Sequence, residues 1–364
     1  MKFVDEFQDP RLVKGLLQEI GALAKRRVTF MEVCGTHTMA LFKYGIRAML
    51  PNLVNIISGP GCPVCVTPTN VLDAAMDAVR KENVILATFG DMMRVPGSSS
   101  SLEAEKALRF DVRVVYSATD SLGIAESNPD RKVVFLGVGF ETTAPSIACT
   151  VLGAARKGIE NFKLIAANKL IPPAMKALLE AGEVQLDGFI CPGHVSTIIG
   201  SEPYEFIPKE YGIPCVISGF EPVDILQSVL ILLRQIDEGK SRVEIQYSRS
   251  VKPDGNPIAK RFISEVFQTV DSDWRGLGEI QASGLALNEH FREYDALKYL
   301  GIELKEPAEP PGCLCGEILR GLRSPPECGL YGLSCTPERP VGPCMVSSEG
   351  TCAAYYRYSR GARA

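Results

Sequence analysis

Apolar positions along the chain follow two alternating rhythms. Leu12, Leu16, Ile20 and Leu23 recur near helical spacing, so residues 1–26 are predicted as an amphipathic helix. After that the pattern changes to short β-branched runs separated by longer stretches of helical period. Strands are predicted at 28–33, 53–57, 84–89 and 112–116, with helices over 36–49 and 69–82 and one more between the last two strands. A second round places strands at 133–138, 164–167, 188–191 and 214–217, with helices over 143–157, 172–181 and 222–237. Strands that read as unbroken apolar runs belong to parallel sheets covered on both faces. The expected fold class is therefore α/β, with two parallel-sheet domains, residues 27–125 and 126–240, facing a cleft.

From about residue 240 the rhythm stops. One further helix is predicted over 257–270, and the rest is rich in Gly and Pro and dense in cysteine from Pro307 onward. A segment with so little apolar periodicity is hard to hold by a core alone, and a bound metal cluster supplies the missing stability. Residues 241–364 are thus expected to form a mostly irregular or helical iron–sulfur domain. The helix 1–26 is assigned to it, because that end needs apolar cover and the helix has no strand partner.

Composition narrows the chemistry. The 364 residues are 46% hydrophobic and 23% charged, which is ordinary for a globular chain. A net charge of -4 with scattered basic residues leaves no stripe to hold phosphate backbones, so nucleic acid is not an expected partner. Charges interrupt the first residues, no apolar signal core follows, and no apolar run has the length to span a bilayer. A cytoplasmic location without membrane attachment is expected. Twelve cysteines are too sparse for a disulfide-stapled scaffold, and in that compartment they point to metal or redox chemistry.

Six cysteines, Cys313, Cys315, Cys328, Cys335, Cys344 and Cys352, fall in the final stretch among prolines and glycines. Kinked backbone of that kind lets thiolates converge on a cluster from several directions, and a [4Fe-4S] cluster takes four. Structural zinc also takes four, but it favours paired C-x2-C knuckles, and neither these nor a histidine occur there. The remaining two thiols are either inert or a redox pair; spacing does not choose.

Reactive residues also gather where the predicted strands end, which is where open parallel sheets build sites. Cys62 and Cys65 form a C-x2-C before a helix, an arrangement suited to thiol–disulfide exchange. Half a zinc site, or two buried thiols, is the competing reading. Cys34 and His37 share the turn that opens the next helix and can reach one metal atom. They can equally be a buried thiol and a surface ring beside a Thr36 cap. His194 follows Cys191-Pro192-Gly193 in another strand-end loop, whereas His290 reads as a surface residue. Gly137-Val138-Gly139 lacks the third glycine of a dinucleotide fingerprint, and Cys149 and Cys215 read as core thiols.

Taken together these motifs resemble the HypD family of hydrogenase maturation factors. The resemblance rests on Glu32-Val33-Cys34-Gly35-Thr36-His37-Thr38, Gly59-Pro60-Gly61-Cys62-Pro63-Val64-Cys65 and Gly139-Phe140-Glu141-Thr142-Thr143-Ala144-Pro145. Cys191-Pro192-Gly193-His194-Val195-Ser196 and Cys344-Met345-Val346-Ser347-Ser348-Glu349-Gly350 complete it. Cys313, Cys328, Cys335 and Cys352 fit the family's C-x14-C-x6-C-x16-C spacing, so the resemblance makes them [4Fe-4S] ligands and leaves Cys315 and Cys344 as the extra pair.

For function, the resemblance implies a scaffold that works with the small protein HypC. The pair holds an iron atom while cyanide and CO are installed, giving the Fe(CN)2CO unit of [NiFe] hydrogenases. Cyanide comes from HypE with HypF, and the unit passes to the hydrogenase large subunit. Low-spin iron of that kind prefers soft thiolates, so Cys34 is the expected iron ligand, with His37, His194 and Glu349 as hydrogen-bond donors or proton handlers beside it. A cluster beside Cys315 and Cys344, feeding Cys62 and Cys65, makes a redox relay. The alternative function is a cluster-dependent thiol–disulfide oxidoreductase acting on protein partners.

Overall fold

A computed structural model describes residues 5–359; the outermost residues of the segments 1–26 and 241–364 lie outside these. The α/β class holds. Strands β1 (Val28–Glu32), β2 (Val54–Ser58), β3 (Val84–Phe89), β4 (Val112–Val115), β5 (Lys132–Gly139), β6 (Phe162–Asn168), β7 (Gly188–Pro192) and β8 (Cys215–Ser218) stand where the apolar runs place them. A short β9 (Val243–Ile245) follows.

These strands form two parallel sheets, ordered β2-β1-β7-β8-β9 and β4-β3-β5-β6. β3, β5 and β6 are buried along nearly their whole length. Their unbroken apolar runs are therefore those of strands covered on both faces.

The strands do not sort between the sheets at the 125/126 boundary. The chain lays down β1 and β2, leaves to build the whole second sheet with β3–β6, and returns to add β7–β9 beside β1. Periodicity reports each strand but not its neighbours, because pairing is decided by long-range packing. The consequence matters for function. Each sheet reverses its direction of growth, between β1 and β7 in one and between β3 and β5 in the other. Crevices at such reversals, outside the carboxyl ends of the strands, are where α/β sheets bind ligands.

The N-terminal helix is Pro10–Leu23, capped by Asp9 with Pro10 at its first position. It lies on the helix Pro222–Asp237, not on the cysteine-rich end. Ile20, Leu16 and Leu23 join Leu226, Val229 and Leu233 in one apolar cluster over the first sheet. Glu19–Arg234 and Lys25–Asp237 pairs close the rim, at 3.0 and 2.6 Å, and add little in water. The amphipathic stripe found its cover on another helix.

Two local departures have clear causes. The helix predicted over 36–49 breaks into Gly35–Lys43 and Ile46–Met49, because Gly45 sits at φ +65°. The helix predicted over 257–270 ends at Val266. The chain then runs straight into a long antiparallel hairpin, β10 (Phe267–Trp274) and β11 (Gly278–Leu287). Its turn holds Gly276 and Gly278, both at φ +76°. Beyond it the described chain is mostly irregular, with α-helices only at Cys315–Leu319 and Thr351–Ser359 after residue 301, and 3-10 turns at Pro325–Glu327 and Pro343–Met345. No described helix is long and apolar enough to cross a membrane.

Candidate functional site

Cys34 stands at the β1/β7 reversal. It is the N-cap of Gly35–Lys43 and is buried, with extended backbone. Three loops meet there. Its own amide donates to Glu32 Oε2 at 3.1 Å, and the Thr38 hydroxyl donates to the other oxygen of the same carboxyl. The Gly35 amide donates to the Gly61 carbonyl at 2.8 Å, and a Cβ on Gly61 would collide with the Cys34 backbone. A Cβ on Gly35 would collide with Glu349, whose Oε1 accepts from the Thr36 hydroxyl at 2.8 Å. Glycines at 35 and 61 thus bring residues 32–38, 59–65 and 347–350 to one point.

Electrostatics distinguish the groups. Burial, reinforced by the Glu349 and Glu32 carboxyls, pushes the Cys34 thiol up to about 12. A thiol in that state is a poor free nucleophile, but it becomes a ligand when a cation displaces its proton. Burial raises Glu32 to about 7 against hydrogen bonds from Ser58 and Thr38, and burial also raises Glu349.

His37 is fully buried and burial pulls its ring down to about 4, so it is neutral near pH 7. Its Nε2 lies 2.9 Å from the Gly219 carbonyl, which can only accept, so Nε2 carries the proton. Nδ1 is buried without a partner among the described residues. His37 therefore offers an acceptor nitrogen at the site.

The structure brings His37 and His194 together through a residue the motifs did not single out. Both rings stack on Phe220, at centroid distances of 4.7 and 3.9 Å. Phe220 follows β8, and the strand-end rule that found the other loops also covers it. Glu141 goes elsewhere. It follows β5 at the second sheet's reversal, with Oε1 accepting from the Ile171 amide at 3.0 Å and Oε2 unpartnered.

Glu141 yields a pH prediction. Burial raises its carboxyl from an ordinary value near 4.5 to about 7. A group raised on folding contributes fully below its unfolded value, and the contribution is lost as pH rises through the folded one. The shift corresponds to up to about 3 kcal/mol lost between pH 4.5 and 7. Glu141→Gln should gain thermal stability over the wild type at pH 8 and not at pH 4.5. Glu32 titrates in the same window, so the variant flattens only part of the decline. Equal stability differences at both pH values would refute the assignment.

Cys62 and Cys65 are joined as a disulfide, with Cys62 capping the short helical turn Pro63–Val66. That turn packs on β5 and on the turn Pro343–Met345, where the Pro343 carbonyl is 4.0 Å from Cys65 Sγ. Cys344 is the next residue. It faces a small cavity lined by all six C-terminal cysteines together with Ile318, Tyr331, Gly342 and Met345. Cys315 and Cys344 have their sulfurs 2.8 Å apart, and Cys335 Sγ accepts from the Val341 amide at 3.4 Å.

The lining suits a cluster on two counts. Its donors are all sulfur, which soft iron–sulfur chemistry requires. Thiols so close cannot all ionise unaided: Cys315 is pushed well down by hydrogen bonds from Cys313 and Cys344, while Cys344 is pushed up by Cys315 and Cys352. Among the described residues no three His, Cys, Asp or Glu side chains converge on one ion position. A cluster does not need such convergence, since each of its irons takes one protein thiolate. The cavity does not single out four of the six. Cys191 and Cys215 are fully buried in neighbouring strands, and Cys149 is half-buried.

The sequence model of the HypD family, described as "Hydrogenase formation hypA family", matches residues 11–359. The hydrogenase maturation factor HypD2 of Bradyrhizobium diazoefficiens is 48% identical, covering 99% of this chain and 97% of its own length. The hydrogenase maturation factor HypD of Rhodobacter capsulatus is 47% identical over the whole of both chains. A putative hydrogenase expression/formation protein of Methanocaldococcus jannaschii is 42% identical, covering 97% of this chain and 98% of its own.

Proposed function

The chain belongs to the HypD family, and on that premise we propose that it is a hydrogenase maturation factor: with HypC, it holds an iron atom while cyanide and CO are installed as the Fe(CN)2CO unit. The observation that carries the proposal is the setting of Cys34. It is a buried, protonated thiol at a strand-order reversal, pinned by three loops and ringed by groups that accept protons or hydrogen bonds.

Iron is the substrate here. Cys34 supplies one soft thiolate, and its displaced proton has acceptors nearby in Glu32 and Glu349. The cysteine of a partner such as HypC supplies a second thiolate. His37 Nδ1 and the His194 ring, both held by Phe220, stay neutral and keep hydrogen-bonding capacity beside an anionic cargo without adding charge.

Cys313, Cys328, Cys335 and Cys352 hold the resident [4Fe-4S] cluster in this reading. When bound, such a cluster supplies single electrons. Opening the Cys62–Cys65 bond takes two electrons and two protons, and Cys344 lies next to the Pro343 carbonyl that faces Cys65. Redox support of ligand assembly is the use that follows. HypE, with HypF, is the cyanide source in this reading, and the hydrogenase large subunit receives the finished unit.

Anaerobic affinity purification from cells making the whole maturation set tests the scaffold role. The expected result is a stable one-to-one complex with HypC carrying iron beyond that of the cluster. A chain that elutes alone and reduces protein disulfides by itself would replace the scaffold with an oxidoreductase.

A further inference from the structure

Arg275 is fully buried at the turn of the β10–β11 hairpin. Its Nε and Nη1 have no hydrogen-bond partner among the described residues. Its Nη2 donates only a long bond, 3.5 Å, to the Pro96 carbonyl, and the nearest carboxylate oxygen, on half-exposed Glu309, is 3.8 Å from Nε. A buried guanidinium this poorly partnered is costly to keep unless anionic charge lies near it.

Two backbone contacts place the residue. The Arg275 amide donates to the Val66 carbonyl at 2.9 Å, one residue after Cys65. Gly276 meets Gly316 so closely that a Cβ on either would collide with the other's backbone, and Gly316 follows Cys315. The main chain at Arg275 is thereby held between the segment after the Cys62–Cys65 disulfide and the first helix of the six-cysteine cavity.

We propose that Arg275 is a positioning residue for the cysteine-lined cavity, whose buried charge stabilises the more negative, reduced state of an iron–sulfur cluster held there. The inference rests on the cluster reading given above. A cluster on four thiolates is anionic, and its potential follows its net charge and the charges and hydrogen bonds around its sulfurs. A fixed cation nearby makes reduction easier. Glu309, whose carboxylate lies 3.8 Å from Arg275 Nε, opposes it.

The test is an EPR-monitored redox titration of the anaerobically reconstituted full chain, with iron content measured on each sample. Arg275→Gln should retain its iron and move the cluster to a lower potential, and Arg275→Lys should restore most of the shift. Glu309→Gln, at a half-exposed position that should fold normally, should move the potential the other way. An Arg275→Gln cluster at the wild-type potential overturns the proposal. If that variant does not fold, an unmoved potential in Glu309→Gln overturns it instead. A wild-type chain that takes up no iron–sulfur cluster overturns the cluster reading, and this inference with it.

Discussion

Replacing Cys34 by Ala is expected to abolish hydrogenase maturation while leaving the fold and the C-terminal cysteine cavity intact. The thiol is small and buried, so its loss should cost only about 1 kcal/mol of stability. The functional loss should exceed the roughly 10–100-fold typical of removing a mere hydrogen-bonding partner of a metal ligand. Hydrogenase activity in a strain lacking the native factor, complemented with the variant, measures it. The comparison with Thr36→Ala is informative, because Thr36 only ties the loop to Glu349. That variant should be impaired but active. Maturation at wild-type rate with Cys34→Ala would remove the iron ligand from the account and favour a chain that works through its disulfide.

The second large effect is expected at the C-terminal cysteines. Cys328→Ala, and likewise replacement of Cys313, Cys335 or Cys352, should lose the cluster and much of the order around it. Between Leu319 and Thr351 the described chain holds only two single 3-10 turns as regular structure, so on the proposed reading a bound cluster would organise much of it. A destabilisation on the order of several kcal/mol is expected, against well under 1 kcal/mol for Cys149→Ser at its half-buried helix position. Iron content and thermal melting report on this directly. The same variant examines redox support. Without the cluster, Cys62–Cys65 should stay oxidised under mild reduction that opens it in the wild type. Full iron retention in Cys328→Ala would move the ligand set to include Cys315 or Cys344, which line the same cavity.

Much of this was legible in the sequence because it is local. A strand buried on both faces must be apolar along its length, and β3, β5 and β6 announce themselves that way. Cys34, Cys62 and His194 were placed at strand ends because the apolar runs stop just before them, and the glycines around them read as turns. What stayed hidden was long-range. Nothing in the period of β7 says that it returns to β1 across a complete second sheet. The hairpin β10–β11 was hidden for another reason. Its solvent-facing residues are polar, and its first four residues continue the pattern of the preceding helix. Arg275, at the tip of that hairpin, had no local pattern to reveal it. The tautomer of His37 depends on one carbonyl, that of Gly219, far along the chain.

The central claim is that Cys34 marks the place where iron acquires its diatomic ligands. An infrared spectrum of the full chain, purified anaerobically with HypC from cells able to make cyanide, tests it most directly. The account predicts stretching bands of iron-bound cyanide and CO in the wild-type complex, and their disappearance in Cys34→Ala with the cluster still present. A complex that retains HypC and a full cluster yet shows no such bands, or shows them unchanged in Cys34→Ala, would contradict it.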